Sequence, residues 1–169
     1  MAKYKLIALT ALIIVAFGMT ALAIAADIPK QGTYTGKMVI SLTLKSIAVG
    51  DRLIVGYEYM GVFLNDRGEG FLHNASVRGL GAFHAENVKG VFEYDRSSGV
   101  LIDSDGDQVI FTHEVAGSFD SVRTLTFHGG TGKYTGIQGG GEWTWVQTRS
   151  ATEVTAQGYA IHKGHWKLP

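Results

Sequence analysis

Along most of the chain, apolar and polar residues alternate with period two. Between Thr33 and Ser46, Tyr34, Met38, Ile40, Leu42 and Leu44 fall on one side, and Lys37, Ser41, Thr43 and Lys45 on the other. Such alternation predicts a β-strand with one buried face. The rhythm recurs. Residues 51–64 align Leu53, Val55, Tyr57, Tyr59 and Phe63, and residues 70–85 align Phe71, His73, Ala75, Val77 and Phe83 against Asn74, Ser76 and Arg78. Residues 87–96 pair Phe92 with Tyr94, and residues 107–116 group Val109, Phe111, His113 and Val115. Residues 121–129 group Arg123 with Leu125 and Phe127, residues 140–149 group Trp143 with Trp145, and residues 151–163 complete the series.

This reading gives about eight strands, separated by turn-forming runs such as "NDRGEG", "DRSSG" and "SDGD". The two prolines, Pro29 and Pro169, lie outside them, as a sheet requires. No stretch beyond residue 26 sustains a helical period. The expected fold is all-β: a single eight-stranded antiparallel up-and-down barrel over residues 26–169. Closure removes the exposed edges, and eight strands leave an interior that side chains fill or that holds one small ligand. A two-sheet sandwich is the other arrangement these strands allow.

The first 26 residues differ from the rest. Lys3 and Lys5 precede an apolar run from Leu6 to Ala16, and Ala23-Ile24-Ala25 fits a small-x-small cleavage site. This predicts a signal peptide over residues 1–25, a mature chain starting at Ala26 and a periplasmic or secreted location. An uncleaved membrane anchor is the competing reading. After cleavage no stable membrane insertion is expected. Basic and acidic residues number 15 each, so loss of Lys3 and Lys5 leaves a slight acidic excess with no basic run. Nucleic acid is therefore not expected as a partner. With no cysteine, thiolate metal sites and cysteine catalysis are excluded, and the fold must rely on its core.

"FHGGTGKYTGIQGGGEW", Phe127 to Trp143, raises the question of phosphate binding. The phosphate-loop pattern fails, with Phe127 where its first Gly belongs and Tyr134 in place of Ser/Thr. The dinucleotide pattern fails at Thr135. The expected role of these glycines is positive φ and close backbone approach at a barrel end. On this view Lys133 is dispensable for folding. "DSDGDQVIFTHE", Asp103 to Glu114, has the acids of a calcium loop but Gln108 at the position that demands Gly, and reads as a tight turn at Gly106. No cofactor and no metal is expected.

These two segments, with "LHNASVRGLGAF" upstream, resemble small exported bacterial proteins related to allene oxide cyclase and, more distantly, to plant dirigent proteins. The resemblance runs from about Gly56 to Trp143. It implies an eight-stranded barrel with a mostly apolar cavity. Many bacterial relatives carry cysteines where Gly79 stands and near Val91 or Phe92, so a disulfide of that group is absent here. Glu58 and Asn74 are the residue types nearest the plant cyclase's catalytic carboxylate and asparagine, and neither role is transferred.

The cavity candidates are Tyr57, Tyr59, His73, Tyr94, His113 and Trp143. His73 and His113 each share a face with apolar neighbours, whereas His162 and His165 are expected in solvent near the C-terminus. The bland reading of the inward pair is hydrogen-bonded core histidines, and a zinc site lacks a third ligand. No nucleophile or other catalytic residue is nominated. Two functions stay open. One is an exported barrel binding a small apolar or aromatic molecule. The other is an isomerase or cyclase of the allene oxide cyclase type, acting on a reactive apolar substrate by restricting its conformation. The sequence leaves room for a homo-oligomer.

Overall fold

The computed structural model describes residues 28–86, 91–118, 121–152 and 155–169, without the side chains of 91–93. The expected signal peptide lies outside the described residues. Eight strands follow one another round a closed antiparallel barrel: β1 (Gln31–Val49), β2 (Arg52–Asn65), β3 (Ala75–Glu86), β4 (Val91–Ile102), β5 (Gln108–Ser118), β6 (Arg123–Gly130), β7 (Gln138–Thr148) and β8 (Thr155–Lys167). β8 pairs back onto β1 from Gln31↔Lys167 to Thr43↔Thr155. Closure leaves no open edge, so the fold is a barrel and not a sandwich. Among the described residues no helix is long and apolar enough to cross a membrane.

The two ends of the barrel differ. One is plugged by aromatic side chains. Phe71 and Trp166 stack with ring centres 4.2 Å apart, Tyr134 meets Phe71 edge-on at 5.9 Å, and Tyr34 lies against Phe63, Phe71, Phe127 and Trp166. The loop that supplies Phe71 and Leu72 leaves the strand period. Leu72 and Asn74 have φ of 53° and 60°, and the His73 and Ala75 amides donate to the carbonyls of Gly70 and Leu72. The Asn65 side-chain amide donates to the Phe71 carbonyl at 3.0 Å. Burying Leu72 offsets the backbone strain at that position. Residues 71–74 are therefore a turn, where strand alternation was expected. The opposite half of the barrel holds a cavity.

Inward-facing glycines set the interior volume. A Cβ at Gly81 collides with the Tyr57 ring, and one at Gly79 or Gly99 with the Tyr59 hydroxyl. Gly36, Gly158 and Gly164 make the same room for Phe63, Trp145 and Tyr34. The run "DRSSG", expected as a turn, instead continues β4. Ser97 and Gly99 point inward there, small enough to sit beneath the tyrosine rings.

The glycine-rich stretch is a structural clasp. Lys133 Nζ pairs with Asp103 at 2.6 Å and with Asp105, and its backbone amide donates to Asp107 Oδ2 at 3.1 Å. Gly132 has φ of 51°, and a Cβ there would meet the Asp107 carboxylate. Burial opposes ionisation of Asp103. Hydrogen bonds from Lys133, Tyr134 and the Asp105 amide outweigh it and hold the carboxyl below the ordinary range. The three aspartates thus have partners within the fold, and Lys133, expected to be dispensable, is the ion-pair partner of two of them.

Gly81→Ala should cost about 2 kcal/mol or more by overpacking, measured by urea unfolding. Gly56→Ala, with no atom near the added Cβ, should change stability by less than about 0.5 kcal/mol. Lys133→Met should cost about 2 kcal/mol by stripping a mostly buried carboxylate of its charged partner. It should also weaken the stability that Asp103 contributes at neutral pH, which wild type loses as pH falls below the carboxylate range. Equal unfolding midpoints for Lys133→Met and wild type from pH 7 to pH 3 would refute the clasp.

Candidate functional site

Above the aromatic plug lies a cavity of about 210 Å³. Its upper wall is mostly apolar, Ile40, Leu42, Leu44, Phe83, Trp145 and Ala156, with Gln147 as the polar member. Polar groups collect lower down, because the register brings them to one level. Tyr57 pairs with Gly81, Gly81 with Ser97, and Ser97 with His113. On the far side Arg123 pairs with Trp143, and Trp143 with His162. The result is a polar belt round the inside of the barrel.

The belt is hydrogen-bonded. Tyr57 Oη donates to Asp95 Oδ1 at 2.7 Å and lies 3.3 Å from His113 Nε2. Ser97 Oγ lies 2.7 Å from His113 Nδ1 and 3.3 Å from Tyr59 Oη. A carboxylate only accepts, so for a neutral imidazole one donor order satisfies these contacts. Tyr57 gives its hydrogen to Asp95, and its oxygen accepts from His113 Nε2–H. His113 Nδ1 then takes the Ser97 hydrogen, and Ser97 Oγ takes that of Tyr59. Burial first, and then the adjacent Asp95 carboxylate, push the Tyr57 hydroxyl far above the ordinary phenol range. Burial pushes Tyr59 up to about 12. Both phenols therefore stay protonated donors at neutral pH.

The charges are also paired. Arg123, only 3% exposed, has Nε 3.9 Å from Asp95 Oδ2. Its guanidinium lies 4.7 Å from the Trp143 ring centre. Trp143 stacks on His162 at 5.7 Å with 14° between planes, and meets His113 edge-on at 4.9 Å. Arg123, Trp143 and His162 thus form a layered stack along one wall. Burial, with a smaller contribution from His113, pushes the His162 imidazole down to about 3.

Of the six residues singled out from the sequence, Tyr57, Tyr59, His113 and Trp143 line the cavity. His73 does not join them. It sits in the turn that feeds the plug, half-buried, because the chain reverses there before β3 begins. Tyr94 is 45% exposed and points outward. Register shifts between Phe92 and Asp95, and between His84 and Ala85, put Asp95 inside in its place. The two imidazoles that share the hollow are His113 and His162, and His162 is only 4% exposed. Its expected solvent exposure is corrected by β8, which extends to Lys167 and turns Ala160, His162 and Trp166 inward.

Sequence reasoning missed Asp95, Ser97 and His162. It grouped Arg123 with inward residues without nominating it. A lone arginine two positions before Leu125 and four before Phe127 was the available signal. Ser97, His113 and Asp95 do come within reach of one another, yet Ser97 stands outside the cavity lining and its oxygen is held between Tyr59 and His113. It orients the imidazole and is not placed to attack a ligand. Asp95, His113 and Tyr57 are the groups placed to exchange a proton with one. Among the described residues no group of three or more His, Asp or Glu side chains is arranged to hold a metal.

The His162 environment predicts a pH effect. Its folded-state value lies below that of an unfolded histidine, about 6.5, so the unfolded chain binds the extra proton first. Stability should be full above that value and fall on acidification, by up to about 1.4 kcal/mol per pH unit. Urea unfolding between pH 7.5 and 5 checks this. His162→Phe should flatten the slope, and an unchanged slope would refute the assignment.

No family model matches the chain, and no curated protein is similar to it.

Proposed function

We propose that this protein is an exported barrel that holds one small apolar or aromatic molecule in its cavity. The observation that carries this reading is the cavity itself, a hollow with a mostly apolar upper wall and a buried polar belt below. A dry apolar cavity of about 150 Å³ holds a benzene molecule. The slightly larger volume here suits a single ring with a short substituent, and is too small for a drug-sized ligand. The rings of Phe83, Trp145 and Trp143 offer broad contact area. The resemblance to exported barrels related to allene oxide cyclase supports the same reading.

A second reading has its own support. Asp95, Tyr57 and His113 form a proton-ordered chain at the wall of a largely apolar cavity. An isomerase or cyclase acting on a reactive apolar substrate would use such a chain for proton transfer, while the walls restrict substrate conformation.

Tryptophans line the cavity, so titration with small aromatic compounds should quench intrinsic fluorescence saturably. Ligand at 100 times its Kd should raise unfolding stability by about 2.7 kcal/mol. Ala156→Trp, which fills the upper cavity, should abolish both effects. Absence of saturable binding across a panel of single-ring compounds would sink the binding reading. Asp95→Asn separates the two functions: a binder loses affinity, whereas a cyclase loses turnover or stereocontrol with affinity retained.

A further inference from the structure

His162 and Trp143 are the belt residues with a buried ring nitrogen that the hydrogen-bond chain leaves unpaired, and of the two only the imidazole can move its proton between two nitrogens. Among the described residues neither ring nitrogen of His162 has a hydrogen-bond partner. Nε2 is sealed within the packing and unpaired. The ring lines the cavity and a small void beneath it, and with Nε2 sealed we take Nδ1 as the nitrogen that borders the cavity. Two tautomers are available to the neutral ring. An N–H on Nε2 would be a buried donor with nothing to accept it, and orphaned buried N–H groups are rarer than under-satisfied acceptors. The proton therefore belongs on Nδ1, where it presents a donor to the cavity.

The remaining lining groups restrict what can meet that donor. His113, Tyr57 and Asp95 already engage one another. Arg123 is the one cationic side chain among the described lining residues that is always charged, and it lies beside Asp95. An anionic ligand would bring a second negative charge close to Asp95 in a poorly solvated space. Resting on the binding reading above, we propose that His162 Nδ1–H selects ligands with a neutral oxygen acceptor, such as a ketone, aldehyde or ester carbonyl on a small aromatic or cyclic body. His162 is then a specificity-determining residue and not a core histidine filling space. The stack of Trp143 against it fixes the ring plane, so the donor direction is set before a ligand arrives.

Three probes share one heavy-atom skeleton: acetophenone, cumene and benzoate. They differ only in offering a neutral acceptor, no acceptor or a charged one. In wild type, acetophenone should bind and benzoate should bind at least tenfold more weakly. The acetophenone-to-cumene affinity ratio should fall about fivefold to tenfold in His162→Phe, and His162→Gln, which keeps an N–H donor, should retain part of it. Without any variant, nitrogen-15 NMR should show protonated Nδ1 in His162, with a resonance that moves on adding acetophenone but not cumene. If none of the three probes binds, the binding reading falls and this inference with it. If acetophenone and cumene bind but the ratio survives in His162→Phe and the His162 nitrogens do not respond, this inference alone is overturned. Benzoate binding more tightly than acetophenone would overturn the preference for a neutral acceptor.

Discussion

Everything in this barrel depends on the trade of side-chain volume between facing strands. An eight-stranded barrel has room inside for roughly one layer of large side chains. Tyr57 and Tyr59 both project from β2 into that space, and they fit because Gly79 and Gly81 on β3 and Gly99 on β4 carry nothing that would meet them. With the rings laid over those glycines, their hydroxyls arrive at Asp95 and Ser97 on β4. The polar belt is thus a consequence of packing. Add one methyl group at Gly81 and the Tyr57 hydroxyl must leave Asp95, which then loses the donor that fixes the rest of the chain.

The same trade explains which parts of the molecule were legible in the sequence. Period-two alternation identified the strands because one face of each is apolar, and it placed Tyr57, Tyr59, His113 and Trp143 without further information. It failed where the inward face carries small or polar residues. Ser97 and Gly99 in β4 read as a turn, since nothing in "DRSSG" indicates that it lies beneath two tyrosine rings. β8 turns Gly158, Ala160, His162 and Gly164 inward, a face with too little hydrophobic contrast to flag His162. Tyr94 and Asp95 exchanged places for a different reason. A register shift reverses the facing of every residue beyond it, and alternation alone carries no mark of where the shift falls. His73 was lost to a turn whose positive φ values fall on Leu72 and Asn74, with no glycine at either position to signal them.

The glycine-rich stretch shows how a motif can be read incompletely when its partners are far away in sequence. The absent Gly and Ser/Thr ruled out a phosphate loop. The aspartates upstream looked like one more turn. Only the fold shows that the two segments face one another at the plugged end, with Lys133 between carboxylates that are far away in sequence. A clasp there makes sense mechanically. The plug end joins three loops, the segment leading into β1 and the residues after β8, with Leu168 donating to the Lys30 carbonyl and Trp166 to that of Pro29. The strand ladder between β6 and β7 is short, four paired positions, so the loop that joins them needs another attachment.

The unequal treatment of the two ends bears on what the interior is for. A barrel that only had to be stable would fill itself, since dispersion and burial both favour a packed core. This one packs the lower half with stacked aromatic rings and leaves the upper half hollow. It also keeps a carboxylate, an arginine and two imidazoles at the boundary, groups whose desolvation costs several kcal/mol for each ion. Replacing them by apolar residues of similar volume would be neutral or stabilising by that same reasoning. Their pairing limits the cost: Asp95 receives Tyr57 and faces Arg123, His113 is held between Ser97 and Tyr57, and Arg123 lies over Trp143. His162 is left with an uncompensated edge, as Trp143 is at its indole nitrogen, and both rings line the apolar cavity. A polar group that is rigidly held, kept neutral by its burial and left without a partner at the wall of an apolar cavity is poor design for stability alone. It is the arrangement expected where the missing partner arrives with a ligand.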